Sequence, residues 1–390
     1  MPSRTVSTSA VAGMTMVTAG SMAANAASYL LHLPASRLLG VTGYGEFASL
    51  LAAQLVLAVP ALAVQSVVAR EVVRGRGSAE LRTLGYRSAA VVAVLALLLA
   101  PAVAFALDTG VLATASALVV APVLVLLATE QGLLQGTARF GRLSVVLAAA
   151  GVGKVAPAVV VLAFGGGPGI VLAASAVGTA LVAIGARLAT DATPGHSTTT
   201  LSVASVLGAS QVQLALIGLS AVDLVLAKAL LDAEQAGLYA LGAVATKAAF
   251  WLPQAVGVVL YPRMANPAQS ASAVRSALAV VAGIGAVLVA GCAVAAPLLP
   301  VVVGEAYAPV QGYVWIFALQ GAALAVVQSG MLWAIAGNRT RLAMIGWIGL
   351  AVEVVLLLTV ASTVLQFVVV AASVASACAV VMSVVALTRA

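Results

Sequence analysis

Charged and aromatic side chains are scarce in this chain. Only 7% of its 390 residues are charged and 5% are aromatic, whereas 63% are hydrophobic. A soluble globular protein carries about 25% charged residues, so the composition excludes an ordinary soluble domain. We therefore expect nearly all of the chain to lie in lipid, with no room for a sizeable soluble domain.

Residue types used in catalysis and metal binding are also few. The two cysteines, Cys292 and Cys378, both fall inside apolar runs, which argues against a disulfide framework or a metal site. There are two histidines, no outer loop long enough for a sugar-transfer site, and no glycine-rich phosphate loop of the ATPase type. We predict a protein that is not an enzyme and that uses no metal and no cofactor.

Long apolar runs dominate what is present. A membrane-spanning helix needs about 20 apolar residues, and backbone groups in hydrocarbon must be paired within helices. The sequence predicts an all-α integral membrane protein with about twelve spans: 10–32, 45–68, 88–107, 111–134, 143–164, 169–187, 201–223, 237–260, 277–301, 313–336, 342–361 and 364–387.

Basic residues between the spans predict the orientation. If the N-terminus is cytoplasmic, nearly all arginines fall in inside loops, and only Arg37 and Lys228 fall on the outside. This asymmetry is the positive-inside pattern. It places both termini in the cytoplasm of a multi-pass protein of a bacterial-type plasma membrane, and it explains the net charge of +7 without nucleic acid. The start resembles a signal peptide, but the repeat described next argues against cleavage.

The chain contains two copies of one long unit. Gly45 matches Gly237 and Arg70 matches Arg263, at offsets of 192 and 193 residues, while Phe47 matches Tyr239. An even number of spans in each copy predicts two six-helix lobes related by a pseudo-two-fold axis along the membrane normal. We place the lobes at 1–190 and 201–390, with 191–200 as a cytoplasmic linker.

Four prolines fall in matched pairs within the predicted spans, namely Pro60 with Pro253 and Pro101 with Pro297. A proline within a helix removes a backbone hydrogen bond and bends the helix. Bends at equivalent places in both lobes fit a hinge or a cavity lining, and simple packing is the alternative.

Several phrases resemble a known family. They are Asp223–Ala240, Lys247–Gln254, Tyr261–Met264 and Gly304–Gln311, with R-L-L-G-V-T-G-Y-G-E-F-A in the first lobe. They are similar to polysaccharide and oligosaccharide flippases (Wzx-like), which share a superfamily with multidrug and toxin exporters. The resemblance implies two six-helix bundles in a V around a cavity. It also implies movement of a polyprenyl-diphosphate-linked sugar to the outer leaflet by alternating access, with a polysaccharide polymerase or glycosyltransferases as partners.

Ionisable side chains within spans are costly and usually face a cavity or a partner. Lys154 lies in the middle of a span, where its ammonium suits a diphosphate. Glu353 occupies the equivalent place in the second lobe, since each lies twelve residues after a matched arginine, Arg142 or Arg341. A structural Lys154–Glu353 pair is therefore the alternative.

The remaining candidates divide between substrate binding and coupling. Lys247 is predicted either to face the cavity or to pair with Asp223, and Arg37 and Lys228 lie at the outer rim, where they attract anionic cargo or contact lipid head groups. Glu130, for which the sequence indicates no partner, and Glu353 are candidates for proton or cation coupling.

We predict a flippase for a lipid-linked oligosaccharide, driven by an ion gradient or the membrane potential, with membrane lipids around it. The alternative within the superfamily is a multidrug exporter, which favours acidic, aromatic-lined cavities. The alternatives of other classes are an integral-membrane polymerase or ligase, disfavoured by the short outer loops, and a scaffold that has lost transport.

Overall fold

The structure is a computed structural model that describes residues 20, 24, 27–28, 30–192, 194–195, 203–253, 256, 264, 270–336 and 339–389. Over these residues the chain forms helices joined by short turns, and no strand occurs among them. The predicted all-α class is confirmed.

Fourteen α-helices are used below as landmarks. They are α1 Gly40–Leu57, α2 Val59–Val73, α3 Ser78–Ala106, α4 Val111–Gly136, α5 Phe140–Ala163, α6 Pro168–Ala189, α7 Val203–Leu219, α8 Val222–Leu230, α9 Ala233–Trp251, α10 Ser270–Ala295, α11 Leu299–Val303, α12 Val314–Ala336, α13 Ala343–Thr359 and α14 Val364–Arg389. Short 3-10 segments occupy Ala296–Leu298, Glu305–Tyr313 and Thr340–Leu342.

The helices have the length and composition of membrane spans. In the part of the chain that the structure describes, nine helical stretches are long and apolar enough to cross a membrane, and α13 is a shorter apolar helix. Every predicted span after the first overlaps a helix, while most of 10–32 lies outside the described residues. The chain is a multi-pass membrane protein, and the cytoplasmic location of its termini stays a prediction.

The four prolines occupy different backbone settings. Pro60 lies in the first turn of α2, directly after the break that ends α1, and Pro101 lies inside α3. Pro253 lies in the turn after α9, and Pro297 lies in a 3-10 segment after α10. A proline is tolerated in a first turn because its missing N–H has no partner there anyway. Their role as hinges stays a prediction.

The contacts divide the chain into two compact units. Unit 1 contains Met1–Pro34, Leu57–Phe105 and Thr109–Ser210, and unit 2 contains Ala35–Val56, Ala106–Asp108 and Gln211–Ala390. The chain passes from unit 2 to unit 1 at Leu57, beside the break that precedes Pro60. The predicted lobe boundaries describe the repeat and stay a prediction.

Unit 1 is built around α4. The helices α2 and α6 both pack against α4, and α5 packs against α6. Val68, Leu81 and Val125 belong to one buried apolar cluster of this unit. A Cβ added at Gly132 would lie 2.7 Å from the Gln65 carbonyl oxygen, so only glycine permits this approach of α4 to α2.

Unit 2 is built around α12, which packs against α9, α10 and α14. Phe250, Leu324 and Met382 are fully buried in its main cluster. The helix α1 belongs to this unit as well. A Cβ added at Gly45 would lie 3.0 Å from the backbone nitrogen of Gly237, so the two glycines matched by the repeat lie against each other.

Candidate functional site

Asp223 lies directly after a break in the chain within unit 2. The helix α7 ends at Leu219, and α8 begins at Val222 with Asp223 in its first turn. One oxygen of the Asp223 carboxylate accepts a hydrogen bond of 2.8 Å from the backbone N–H of Leu224. The N-terminus of a helix favours negative charge, so the break creates a setting that suits a carboxylate anion.

Two further side chains bind the other oxygen of Asp223. The Tyr239 hydroxyl of α9 donates to it at 2.7 Å, and the Gln320 amide of α12 donates to it at 2.8 Å. The Gln320 carbonyl oxygen accepts from the Thr246 hydroxyl at 3.1 Å, which sets the direction of the amide. Helices α8, α9 and α12 therefore hold Asp223 in a buried hydrogen-bond network.

Glu353 is a second buried carboxylate of unit 2 with opposite surroundings. It lies in α13, which packs against α8, and is 1% exposed. Among the described residues, neither of its carboxylate oxygens has a hydrogen-bond partner. Burying an ionised carboxylate without a partner is very costly, so this position suits a neutral carboxylic acid or one neutralised by a cation.

Asp223 and Glu353 lie on neighbouring helices, α8 and α13, and differ in hydrogen bonding. Asp223 accepts three hydrogen bonds, from Leu224, Tyr239 and Gln320, whereas Glu353 accepts none from the described part of the chain. When two carboxyl groups have such different environments, one can hold a proton while the other stays ionised. We refer to Asp223, Tyr239, Gln320 and Glu353 as the carboxylate pair site.

Glu130, the other predicted coupling residue, belongs to an ion pair in unit 1. The Arg82 guanidinium donates to its two oxygens at 2.8 and 2.9 Å, and the Arg187 Nε lies 3.7 Å from one of them. Arg82 also donates to the Thr190 carbonyl at the end of α6, at 3.0 Å. Because the charge of Glu130 is already matched, its surroundings favour a structural role.

The structure places the predicted cations in separate settings. Lys154 is half-buried in α5, and among the described residues its ammonium makes no hydrogen bond or ion pair. Lys247 is half-buried in α9, and both its place in a cavity and its pairing with Asp223 stay predictions. Lys154 and Glu353 lie in different units, so their pairing stays a prediction.

The two predicted rim cations both lie in unit 2. Arg37 is exposed and donates to the Val301 carbonyl at 2.7 Å. Lys228 lies half-buried in the last turn of α8, where a cation is favoured by the helix dipole. Contact with cargo or head groups stays a prediction for both.

Sequence reasoning missed Tyr239, Gln320 and Arg82 as parts of these sites. A signal existed for Tyr239, because the repeat matches it with Phe47 and the two differ only by the hydroxyl that binds Asp223. The described residues contain no group of three or more histidine, cysteine or acidic side chains that could hold a metal ion.

Comparison with known proteins identifies the fold. No protein-family model and no curated protein sequence matches the chain. Solved structures do. The eukaryotic MATE transporter AtDTX14 matches with a TM-score of 0.61 and 14% identity over 97% of this chain and 98% of that one. The inward-facing conformation of a multidrug resistance MATE family transporter of the MOP superfamily matches with a TM-score of 0.64 and 11% identity over 93% of each chain.

A third solved structure differs in what its description says of its pocket. It is a MOP superfamily transporter from Pyrococcus furiosus, described as having a binding pocket of reverse polarity that suggests a different function. It matches with a TM-score of 0.59 and 13% identity over 97% of this chain and 95% of that one. The chain therefore shares the fold of these transporters. The first two are described as MATE transporters, and none of the three is described as an oligosaccharide flippase.

Proposed function

We propose that this chain is a MATE-type exporter that works by alternating access and is coupled to protons at the carboxylate pair site. The observation on which the proposal depends is Glu353, a buried carboxyl group that no described side chain neutralises. A carboxyl group in such a place must be accompanied by a proton or a cation whenever it is buried. Its burial is therefore a natural step in a cycle driven by an ion gradient.

A proton fits the surroundings better than a metal ion does. Asp223 uses both of its oxygens for hydrogen bonds from Leu224, Tyr239 and Gln320, which leaves few lone pairs for a metal. Small hard cations take six or more oxygen ligands, or keep several waters. One carboxylate anion beside one carboxylic acid requires only that a proton arrive and leave.

The shared fold supports the transport part of this proposal. The matches to the solved MATE transporters cover nearly the full length of this chain and of the transporters. A carboxylate pair in unit 2 also favours cationic cargo, because a cation and a proton can compete for the same negative charge. Cationic, partly apolar compounds are therefore the proposed substrate class.

A second candidate function is the flipping of a polyprenyl-diphosphate-linked sugar in a bacterial-type plasma membrane, beside a polymerase or glycosyltransferases. One observation favours it, namely the Lys154 ammonium, which has no partner among the described residues. The Pyrococcus furiosus transporter, with its described reverse polarity, is a neighbour of similar fold that is not described as a multidrug carrier.

Transport by the full-length chain in proteoliposomes distinguishes the two candidates. With an imposed proton gradient, we expect efflux of a cationic dye by the wild type and loss of at least about tenfold of the gradient-driven rate in Glu353→Gln, because the amide cannot exchange a proton. Glu234→Gln is the matched control, since Glu234 is exposed in the first turn of α9.

The outcomes separate as follows. Dye transport that needs neither the gradient nor Glu353 would contradict the exporter. Flipping of a polyprenyl-diphosphate lipid that is abolished by Lys154→Ala, without efflux of the cationic dye, would establish the second candidate instead.

A further inference from the structure

Unit 1 contains a cavity that the proposed transport function does not use. It has a volume of about 360 Å³ and lies between α3 and α6 over the surface of α4. Tyr86 of α3, Leu126 of α4, and Ile184, Arg187 and Leu188 of α6 line it. We call this cavity the α3–α6 groove.

The walls of the groove are apolar and open to the outside of the helices. Ile184 is 57% exposed and Leu188 is 81% exposed, and Tyr86 on the opposite wall is 54% exposed. In a membrane-spanning helix, exposed aliphatic side chains face the acyl chains of lipids. The lining of the groove is therefore suited to a hydrocarbon chain.

One end of the groove is basic. Arg82 is committed to Glu130 and to the Thr190 carbonyl by hydrogen bonds. Arg187 is different, because its side chain is 48% exposed and its Nε lies 3.7 Å from Glu130, which is beyond hydrogen-bond distance. In the described part of the chain the Arg187 guanidinium makes no hydrogen bond, and two guanidinium groups meet one carboxylate.

A second excess of positive charge lies at the same end of α6. Arg139 and Arg142 both pair with the single carboxylate of Asp191, and Arg142 also donates to the Ala189 carbonyl at 3.1 Å. This is the end of the helices that the distribution of arginines predicts to be cytoplasmic. Basic pockets between spanning helices on that side are suited to anionic head groups.

We propose that the α3–α6 groove binds an anionic phospholipid, with its phosphate on Arg187 and one acyl chain along Leu126, Ile184 and Leu188. A guanidinium presents several donors in one plane and so grips a phosphate at two oxygens. The acyl chain fills apolar surface that the helices leave uncovered. This site is separate from the carboxylate pair site, which belongs to unit 2.

Native mass spectrometry of the full-length chain in detergent tests the site. Phosphatidylglycerol and phosphatidylcholine with identical acyl chains are the probes, and inorganic phosphate is the competitor that distinguishes a lipid from a free anion. We expect tighter binding of phosphatidylglycerol, and a loss of about fivefold in Arg187→Gln, the factor that one basic residue contributes near an anionic surface.

Two further variants separate the groove from general surface charge. Arg74→Gln removes an exposed arginine of unit 1 whose partner Glu71 also pairs with Arg76, so phosphatidylglycerol binding is expected to stay within about twofold of the wild type. Ala180→Leu places a larger side chain in the lining and is expected to reduce binding of both lipids while leaving Arg187 in place.

Three results would overturn the proposal. They are equal losses in Arg187→Gln and Arg74→Gln, equal binding of the two lipids by the wild type, and displacement of phosphatidylglycerol by millimolar inorganic phosphate. Unchanged binding in Ala180→Leu would likewise show that the lipid lies elsewhere.

Discussion

Glu130 and Glu353 are both carboxyl groups buried in membrane-spanning helices, yet their surroundings are opposite. In unit 1, Glu130 accepts two hydrogen bonds from Arg82 and has a second guanidinium 3.7 Å away. In unit 2, Glu353 accepts no hydrogen bond from any described residue, and the neighbouring helix α8 carries a second acidic residue, Asp223. The sequence offered both as coupling candidates and suggested a partner, Lys154, only for Glu353, whereas the structure shows a partner for Glu130 and none for Glu353 among the described residues.

This contrast shows that the role of a buried carboxyl group depends on the partners around it. A carboxylate paired with a guanidinium is held in its ionised form, because the positive charge compensates its own charge. A carboxyl group without such a partner changes its preferred state as soon as water or an ion reaches it. Substitutions in the two units test this difference, and the largest effect is expected at Arg82.

Arg82→Ala is expected to lower the free energy of unfolding by about 3–5 kcal/mol, because it leaves Glu130 buried without its main partner. Chemical denaturation of the purified protein measures the change. The double variant Arg82→Met with Glu130→Met serves as the control and should recover most of the loss. A loss in Arg82→Ala below about 1 kcal/mol would mean that Arg187 alone is sufficient for Glu130.

Tyr239→Phe is expected to cost about 1.5–3 kcal/mol, the range for a hydrogen bond to a charged group, because it removes the hydroxyl that donates to Asp223. The same denaturation experiment applies. Tyr313→Phe removes an identical atom from a half-buried tyrosine whose hydroxyl has no partner among the described residues, and it should cost much less. Equal effects would mean that the hydrogen bond from Tyr239 to Asp223 contributes nothing measurable to stability.

Glu353→Gln is expected to change the free energy of unfolding by less than about 1 kcal/mol, because the side chain makes no hydrogen bond that the amide would lose. The same variant is the one expected to abolish coupling, so stability and transport should separate here. A destabilisation as large as that of Arg82→Ala would reveal a charged partner and remove the contrast between the units.

Asp191→Asn should produce the smallest effect, and it should depend on pH. Hydrogen bonding to the Arg139 guanidinium lowers the pKa of this exposed carboxyl group below its ordinary value. Its stabilising contribution is therefore fully present above the ordinary pKa and is lost as the pH falls through the lowered pKa.

Melting temperatures of the wild type and Asp191→Asn across that acidic range check this prediction. The two proteins should differ slightly at neutral pH and converge in acid, and added salt should shrink the difference. A difference that grows toward acid pH would have the wrong sign for an ion pair of this kind.

Parts of the site were accessible from the sequence and parts were not. Asp223 and Glu353 were found because an ionisable residue within an apolar span is itself a signal. The sequence does not indicate the partner of Glu130, because Arg82 precedes the predicted start of the span at residue 88 and falls in a predicted loop. In the structure α3 begins at Ser78, and the Arg82 guanidinium donates to Glu130, which lies 48 positions away in the sequence.

The sequence resemblance to polysaccharide and oligosaccharide flippases also predicted one part of the protein and not another. Short phrases around Asp223 and Gly304 predicted a two-lobe transporter fold like that of the solved MATE structures, because they mark helix ends and turns that belong to the fold. They did not identify the cargo, since cargo depends on the few side chains that line a site rather than on the turns that build the scaffold.

The sequence by itself determined that the chain is helical and crosses the membrane many times, because the length of an apolar run is a local property and sets how that run partitions into lipid. The internal repeat was also visible in the sequence, as matched residues about 192 positions apart. Only the tertiary structure decided which buried charges are matched. Hydrogen bonds such as Arg82 to Glu130 or Gln320 to Asp223 join residues 48 and 97 positions apart, and no local pattern encodes them. In a low-dielectric interior the presence or absence of one such partner decides whether an acid stabilises the fold or is available to exchange a proton.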